Sequence, residues 1–367
     1  MKTKYAKLTA ALLAAAMLTG CSGGNETNPN ENLDLNSMSV EEITAKAQEE
    51  GEVNSAGMPD EWANWKDTWD DIQQKYGLEH IDTDLSSAEE LSLFETEKDD
   101  ATKDIGDVGE TYAAIAEEQG LTLKYKTSYW DEIPDWAKDD DGDWIIAYYG
   151  TMALLTNTRL VEDAPTSFQD ILEGDYVVSI GDVARSTRAQ YAVLAAAYAM
   201  GGDESNIQPG LDFFRQLAEQ GRLDKGEFNL SRLEKGEIGV AIIWDFVGIG
   251  YREQIIENNP NAEFYICIPE EGSVQSGYST IINTYTKRPY AAALTREYIL
   301  SDEGQLNLAE GYARTVRDVE LPEELQAKMI PDEQYQNVHM VEDQEAWSET
   351  VQQLPVLWNE QVMAYAQ

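Results

Sequence analysis

Apolar and polar positions along this chain alternate between two rhythms, one of short apolar runs and one of longer stretches at helical spacing. Ser39-Val40-Glu41-Glu42 has the spacing of a capping box and starts a helix that reaches about Glu50. Residues 51–55 read as a strand end and turn. Pro59 or Asp60 then opens a helix that stops at Gly77. Residues 80–84 form a strand, and Ser87-Ala88-Glu89-Glu90 is a second capping box. Residues 104–109 close another strand, whose following helix stops at Gly120. Asp141-Gly142 is a hairpin turn before an aromatic-rich strand at 144–149. The second half repeats the rhythm: strand 176–180, Ala-rich helix 186–200 ended by Gly201-Gly202, helix from Pro209 to Gly221, buried strand 239–244, and helix from Pro289 to about Leu300. The stretch after Pro322 reads as helical and peripheral. Strands alternating with helices predict α/β sheets with parallel strands. In such sheets ligands sit beyond the carboxyl ends of strands, where the next helices begin.

The first residues follow a different pattern. Lys2, Lys4 and Lys7 precede a short apolar run at 8–18, too short to span a bilayer as a mature helix and typical of a secretory leader. It ends in Leu18-Thr19-Gly20-Cys21, which resembles the bacterial lipoprotein signal, with cleavage before Cys21 and lipidation of that thiol. Residues 1–20 are thus a signal peptide. Residues 21–37, rich in Gly, Asn, Glu and Pro, are a flexible tether.

Charge and composition narrow the function. With 26 Lys and Arg against 69 Asp and Glu, the net charge of −43 argues against nucleic acid and against a basic lipid-binding patch. Two cysteines make no disulfide framework, and two histidines supply no three-histidine zinc site. Cys267, in an apolar strand-like run, reads as a buried inert thiol. Asp139 to Asp143 lacks the spacing of an EF-hand and reads as a turn.

Four strand-to-helix junctions carry candidate chemistry. Ser55, Met58, Asp60 and Trp62 lie in the first, where free backbone N–H groups can hold a ligand. Trp62, Trp65 and Trp69 recur at helical spacing, which also suits a core stripe. Asp107 lies in the second, between Gly106 and Val108-Gly109, placed to cap the next helix or to meet a cation. The third holds Asp182, Arg185, Ser186 and Thr187. Its hydroxyls suit helix capping, and with Arg185 and the helix dipole they also suit a phosphate or carboxylate, against which Asp182 works. In the fourth, Trp244 and Asp245 offer a ring face beside a carboxylate, a pairing that suits an ammonium group or, equally, a core Trp beside a capping Asp.

Leader, tether and α/β body together look like a bacterial solute-binding lipoprotein of an ABC importer. The pieces that carry this resemblance include Gly57-Met58-Pro59-Asp60 with Trp62-Ala63-Asn64-Trp65, Asp104-Ile105-Gly106-Asp107-Val108-Gly109, Trp244-Asp245-Phe246, and Tyr298-Ile299-Leu300-Ser301-Asp302-Glu303-Gly304-Gln305. They resemble the extracellular solute-binding family 1, in the branch grouped with polyamine, ferric iron and phosphorylated-solute binders. The resemblance implies a two-lobed periplasmic-binding-protein-like fold (type II), each lobe a mixed sheet flanked by helices, joined by crossing segments near 149–156 and 277–283. Lobe 1 would comprise 38–152 and 278–367, and lobe 2 would comprise 153–277. It implies a monomeric, non-enzymatic carrier, lipid-anchored on the extracellular face, that needs no cofactor and hands a small solute to permease subunits. The favoured solute is an organic cation such as a polyamine, with Asp107, Asp182 and Asp245 on its ammonium groups, Trp62, Trp244 and Tyr278 on its methylenes, and Tyr149 nearby. A sugar phosphate or phosphonate held by Ser55, Arg185, Ser186 and Thr187 is the alternative. Ferric iron is disfavoured, because the stretch after Trp244-Asp245 carries one tyrosine, Tyr251, where paired tyrosines are usual for iron binders. A secreted acid-pair hydrolase and a purely structural surface lipoprotein are the readings from other classes.

Overall fold

The computed structural model describes residues 28–226 and 228–366; the leader, Cys21 and the first part of the tether lie outside them. In the first half, α1 (Val40–Glu50), β1 (Glu52–Ala56), α2 (Trp65–Tyr76), β2 (Glu79–Thr83), α3 (Ser87–Glu97), β3 (Ile105–Gly109) and α4 (Glu110–Glu118) lead to the long strand β4 (Trp144–Asn157). There follow α5 (Phe168–Glu173), β5 (Val178–Ser179), α6 (Thr187–Ala199), α7 (Gln208–Glu219), α8 (Leu230–Glu234), β6 (Val240–Trp244), α9 (Asp245–Asn258) and β7 (Phe264–Cys267). The chain returns through β8 (Ser273–Ile282), α10 (Pro289–Ile299), α11 (Asp302–Glu310), β9 (Arg314–Thr315), α12 (Glu323–Gln326), β10 (Val338–His339) and α13 (Gln344–Gln361).

The strands join in the order β2-β1-β3-β8-β4-β6-β5, with β7 and β9 on β4 and β10 on β8. β1 pairs parallel with β2 and β3, whereas β8 runs antiparallel to both β3 and β4. β4 serves two groups of strands. Its first part pairs with β8 and, past an irregularity between Ile146 and Tyr148, with β9; its last part pairs with β6 and β7. The alternating pattern predicts the α/β class, but the parallel sheet it suggests is mixed, because β8 runs antiparallel to β3 and β4 and β4 antiparallel to β6 and β7, as the resemblance implies. No helix among the described residues is long and apolar enough to cross a membrane.

Several local readings hold to the residue. Ser39 and Glu42 form the reciprocal capping box of α1, which ends on Gly51 at φ 74°. Cys267 is buried, and burial pushes its thiol up to about 12. Others shift for identifiable reasons. The helix expected from Pro59 starts at Trp65, because Ala63 and Asn64 take left-handed φ values of 47° and 57° and turn the chain first. The Asn64 amide fixes that turn by donating to Asn307 O at 3.0 Å. The second capping box is Ser86 with Glu89, one residue earlier than read. That register leaves the Ser87 hydroxyl to accept from Gly109 N–H at 3.1 Å and turns Glu90 wholly inward. The strand at 176–180 shrinks to two residues.

The end of the expected tether is docked instead of free. Asn30 donates to the carbonyls of Thr284 (3.0 Å) and Thr286 (2.8 Å), and Leu35 is fully buried. The C-terminal stretch is not peripheral either. Trp347 is fully buried with its ring edge-on to Tyr191 of α6 at 5.3 Å, and Trp358 meets Phe214 of α7 at 5.3 Å.

Close approach of the paired strands β4 and β8 depends on a missing side chain at Gly277, opposite Tyr149, where a Cβ would collide with the Ile146 side chain. Gly277→Ala should therefore destabilise the protein by about 2 kcal/mol through overpacking. A lowered urea midpoint at unchanged slope would show it.

Candidate functional site

A cleft of about 350 Å³ opens where the carboxyl ends of β1 and β3 face the start of α6. One wall comes from the turn after β1, with Gly57, Pro59 and Trp62, and from the segment 84–89 that starts α3. The opposite wall is 181–188 with Phe228, and β8 adds Tyr278. Two helix N-termini, those of α3 and α6, thus face one space, and their free N–H groups favour negative charge. The walls touch where Thr187 Oγ1 lies 3.3 Å from Ser87 Oγ. Gly109 makes room there, since a Cβ would lie 2.8 Å from Thr187 Oγ1.

The charged groups of the cleft are differently engaged. Arg185 forms an ion pair with Glu89 across the walls. Hydrogen bonds from Ser86, with that arginine, hold the Glu89 carboxyl down at about 2. Asp182 Oδ1 accepts from Ala184 N–H at 2.9 Å, so it shapes its own turn. Arg188 lies with its guanidinium 4.9 Å from the Phe228 ring centre, and its buried Nε finds no acceptor. Among the described residues no carboxylate pairs with Arg188.

The floor is an aromatic and acidic stack. Trp62 Nε1 donates to Tyr148 Oη at 2.6 Å, and the Tyr148 hydroxyl donates to Asp107 Oδ2 at 2.5 Å. Tyr148 and Tyr278 stack with centroids 5.5 Å apart, and Trp62 meets Tyr278 edge-on at 5.4 Å. Asp107 is 3% exposed and does not cap a helix; the Trp65 side chain lies beside it as a second donor with Tyr148. Beneath it Glu90 is fully buried with both carboxyl oxygens unpartnered. Burial raises both acids well above the usual carboxylate range, and for Glu90 the nearby Asp107 and Asp82 add to the effect.

Of the residues read from sequence, the structure brings Trp62, Asp107, Asp182, Arg185, Ser186, Thr187 and Tyr278 to this cleft. Six others do not line it. Ser55 is buried and donates to Asp82 Oδ1 at 2.6 Å. Met58 is a core side chain whose N–H donates to the same oxygen at 3.1 Å. Asp60 borders a separate hollow with Tyr251, and Tyr149 borders another with Arg314. Trp244 is fully buried and donates to Tyr278 Oη at 3.1 Å. Asp245 is consumed by structure: Oδ1 accepts from Thr151 N–H (3.0 Å) and Phe246 N–H (2.8 Å), and Oδ2 from the Tyr335 hydroxyl (2.7 Å). The potential metal-ligand group Glu117, Asp139 and Asp143 also lies outside the cleft lining, with Lys124 at 3.5 Å from Asp143.

Sequence reasoning missed Arg188, Asp84, Ser86, Glu90 and Phe228. The strand-end rule would have found Asp84 and Ser86 after β2, and Arg188 stands one helical turn beyond Arg185. Phe228 carries no sequence signal.

Fold and cleft define a two-sided α/β carrier of the type II periplasmic binding class, in which a solute is held between facing walls. The bacterial extracellular solute-binding protein model matches residues 100–339, and the chain belongs to that family, the solute-capturing proteins of ABC import. No curated protein sequence matches the chain. Among solved structures it is similar to the periplasmic binding protein AfuA from Actinobacillus pleuropneumoniae with bound fructose-6-phosphate, at 18% identity and TM-score 0.67, over 85% of this chain and 98% of that one. It is similar to iron-bound HitA from Pseudomonas aeruginosa, at 16% and 0.66, over 83% and 98%. It is also similar to the spermidine/putrescine protein PotD from Streptococcus pneumoniae, at 15% and 0.63, over 86% and 99%. At these identities the likeness shows the shared fold.

The buried acids make stability depend on pH. Because Glu90 holds its proton in the folded state at pH values where the unfolded carboxyl loses it, folded stability declines as pH rises above about 4.5. Glu90→Gln removes this dependence. The thermal midpoint of the variant should gain on the wild type as pH rises above about 5, by the equivalent of up to ~1.4 kcal/mol per pH unit. A constant difference across that range would refute the assignment.

Proposed function

We propose that this protein captures a small anionic solute, a sugar phosphate or phosphonate, in the interlobe cleft and delivers it to an ABC permease. The observation that carries this reading is Arg188, a cleft arginine without a carboxylate partner and with a buried, unsatisfied Nε. It stands one turn into α6, whose N-terminus faces that of α3. Phosphate-type oxygens supply the acceptors that such donors lack. The polyamine reading drew on Asp107, Asp182 and Asp245 with Trp62, Trp244 and Tyr278; of these, Trp244 and Asp245 have their polar atoms bonded within the fold, and Asp182 accepts from its own turn. AfuA, bound to fructose-6-phosphate, shows that this fold can hold a solute of that class, as it holds iron in HitA.

The two walls act as lobes that close over the solute about β4 and β8. Lobe 1 takes 38–152 and most of the chain after 278, and lobe 2 takes 153–277. The contacts of Trp347 and Trp358 assign α13 to lobe 2, an amendment to the division read from sequence. The protein acts as a monomer without turnover, held to the outer face of the membrane through lipid on Cys21. That anchor rests on the sequence signal.

A thermal-shift panel of fructose 6-phosphate, glucose 6-phosphate, methylphosphonate, spermidine and ferric citrate tests the solute class. A bound phosphate compound at 100 times its Kd stabilises by about 2.7 kcal/mol, a shift of a few degrees. Arg188→Ala should weaken that binding about 100-fold while leaving the unliganded midpoint nearly unchanged. A saturable shift with spermidine alone would sink the anion reading.

A further inference from the structure

We propose that Glu89 is a resident stand-in for the solute's anionic group: in the empty cleft its carboxylate occupies Arg185 and the start of α3, and an incoming phosphoryl group must displace it. The inference rests on the anion reading above and adds how that site is held between captures.

Glu89 lines the cleft from α3, and Arg185 lines it from the opposite wall, two residues before α6. The two form an ion pair across the gap. Both oxygens of the carboxylate are engaged. Oε1 takes the Arg185 guanidinium, while Oε2 accepts from Ser86 N–H at 3.1 Å and from the Ser86 hydroxyl at 2.7 Å. A negative group thus already sits where an arginine meets a helix N-terminus, the arrangement that favours a phosphate or carboxylate.

The fold fixes this position. Glu89 is the acid of the capping box that starts α3, so its carboxylate is tied to Ser86. Ser87, the next residue, bonds Gly109 N–H and meets Thr187 of the other wall. Ser86, Ser87, Arg185, Ser186 and Thr187 line the same space. Donors that would receive a phosphoryl group are therefore gathered around a carboxylate the chain itself provides.

The remaining charges of the cleft divide differently. Asp182 is turned to Ala184 N–H, and Asp107 lies in the floor with the Tyr148 hydroxyl on Oδ2. Arg188 rests against the Phe228 ring with its Nε unsatisfied. A solute anion meets Arg188 directly but reaches Arg185 only as Glu89 lets go. The exchange needs no unfolding, because the two paired side chains are 59% and 40% exposed. An exposed pair is weak enough to yield to a doubly charged phosphoryl group. As the solute departs, the attached carboxylate returns at high local concentration. Glu89 thereby lowers affinity and speeds release to the permease.

Titration calorimetry and stopped-flow dissociation on the full chain test this with glucose 6-phosphate and, free of any sugar requirement, inorganic phosphate. Glu89→Gln preserves the capping box, since glutamine serves at that position. It should bind the phosphate probe about 5-fold more tightly, chiefly through slower dissociation. Asp182→Asn removes an equal charge from the same lining and should tighten binding by much less. The sign of the Glu89→Gln effect is decisive, because a pair that persisted in the complex as a latch between the walls would make the variant bind more weakly. Unchanged or weaker phosphate binding by Glu89→Gln, or equal tightening by Asp182→Asn, overturns the stand-in and leaves the Arg188 reading in place. Phosphate binding by Glu89→Gln where the wild type shows none sustains it. If neither protein binds either probe, the anion reading fails and the stand-in falls with it.

Discussion

The architecture depends on one constraint: two strands must pass side by side between two groups of strands. β4 pairs along its first part with β8 and along its last part with β6 and β7, so a single strand fixes the register of both groups. Small and hydrogen-bonding residues secure the passage. Ser273 Oγ donates to Met152 O at 2.6 Å, and Asp245 accepts from Thr151 N–H. Gly150 faces Phe246 across a gap in which a Cβ would lie 2.6 Å from the ring. This is why Asp245, which looks like a ligand from its neighbours in sequence, serves the scaffold. Its carboxylate replaces a backbone acceptor where α9 begins beside the crossing strand.

The cleft inverts the electrostatics of the chain. A net charge of −43 repels anions at long range, yet counterions screen exposed charges beyond about 8 Å at physiological ionic strength. Within that distance the acids of the cleft are largely spent. Glu89 is paired, Asp182 is held in its own turn, and burial raises the Asp107 carboxyl well above its ordinary value. What remains is Arg188 beside the α6 N-terminus on one wall, facing the α3 N-terminus and Asp84 on the other.

Much of this organisation was legible because it rests on local rules. The capping box at Ser39, the left-handed glycines at Gly51 and Gly77, and the prolines opening α7 and α10 are short-range signals that tertiary contacts left intact. The junction rule placed Asp107, Arg185, Ser186 and Thr187 in the cleft because strand ends and helix starts are adjacent by construction. It failed where the side chain's direction mattered. Trp244 and Met58 sit at the correct ends of strands but point into the core. Glu90 was hidden by a one-residue shift of its capping box, which exchanged an exposed capping acid for a buried one. The docking of 28–37 was invisible because its partners, Thr284 and Thr286, lie some 250 residues away in sequence.

At the mouth of the cleft the two walls meet through weak contacts. Thr187 and Ser87 share one long hydrogen bond, and Arg185 and Glu89 share an ion pair whose side chains are 59% and 40% exposed. An exposed pair of this kind contributes about 0–1 kcal/mol. Such contacts cannot by themselves hold the walls closed against the entropy of opening. A solute that reaches Arg188 on one wall and the start of α3 on the other binds only the closed arrangement at both ends, so its full affinity is available to shift the equilibrium. A ligand that satisfies one wall alone binds open and closed forms almost equally and moves little. Selectivity and closure are on this view the same property, set by whether a solute reaches both walls at once.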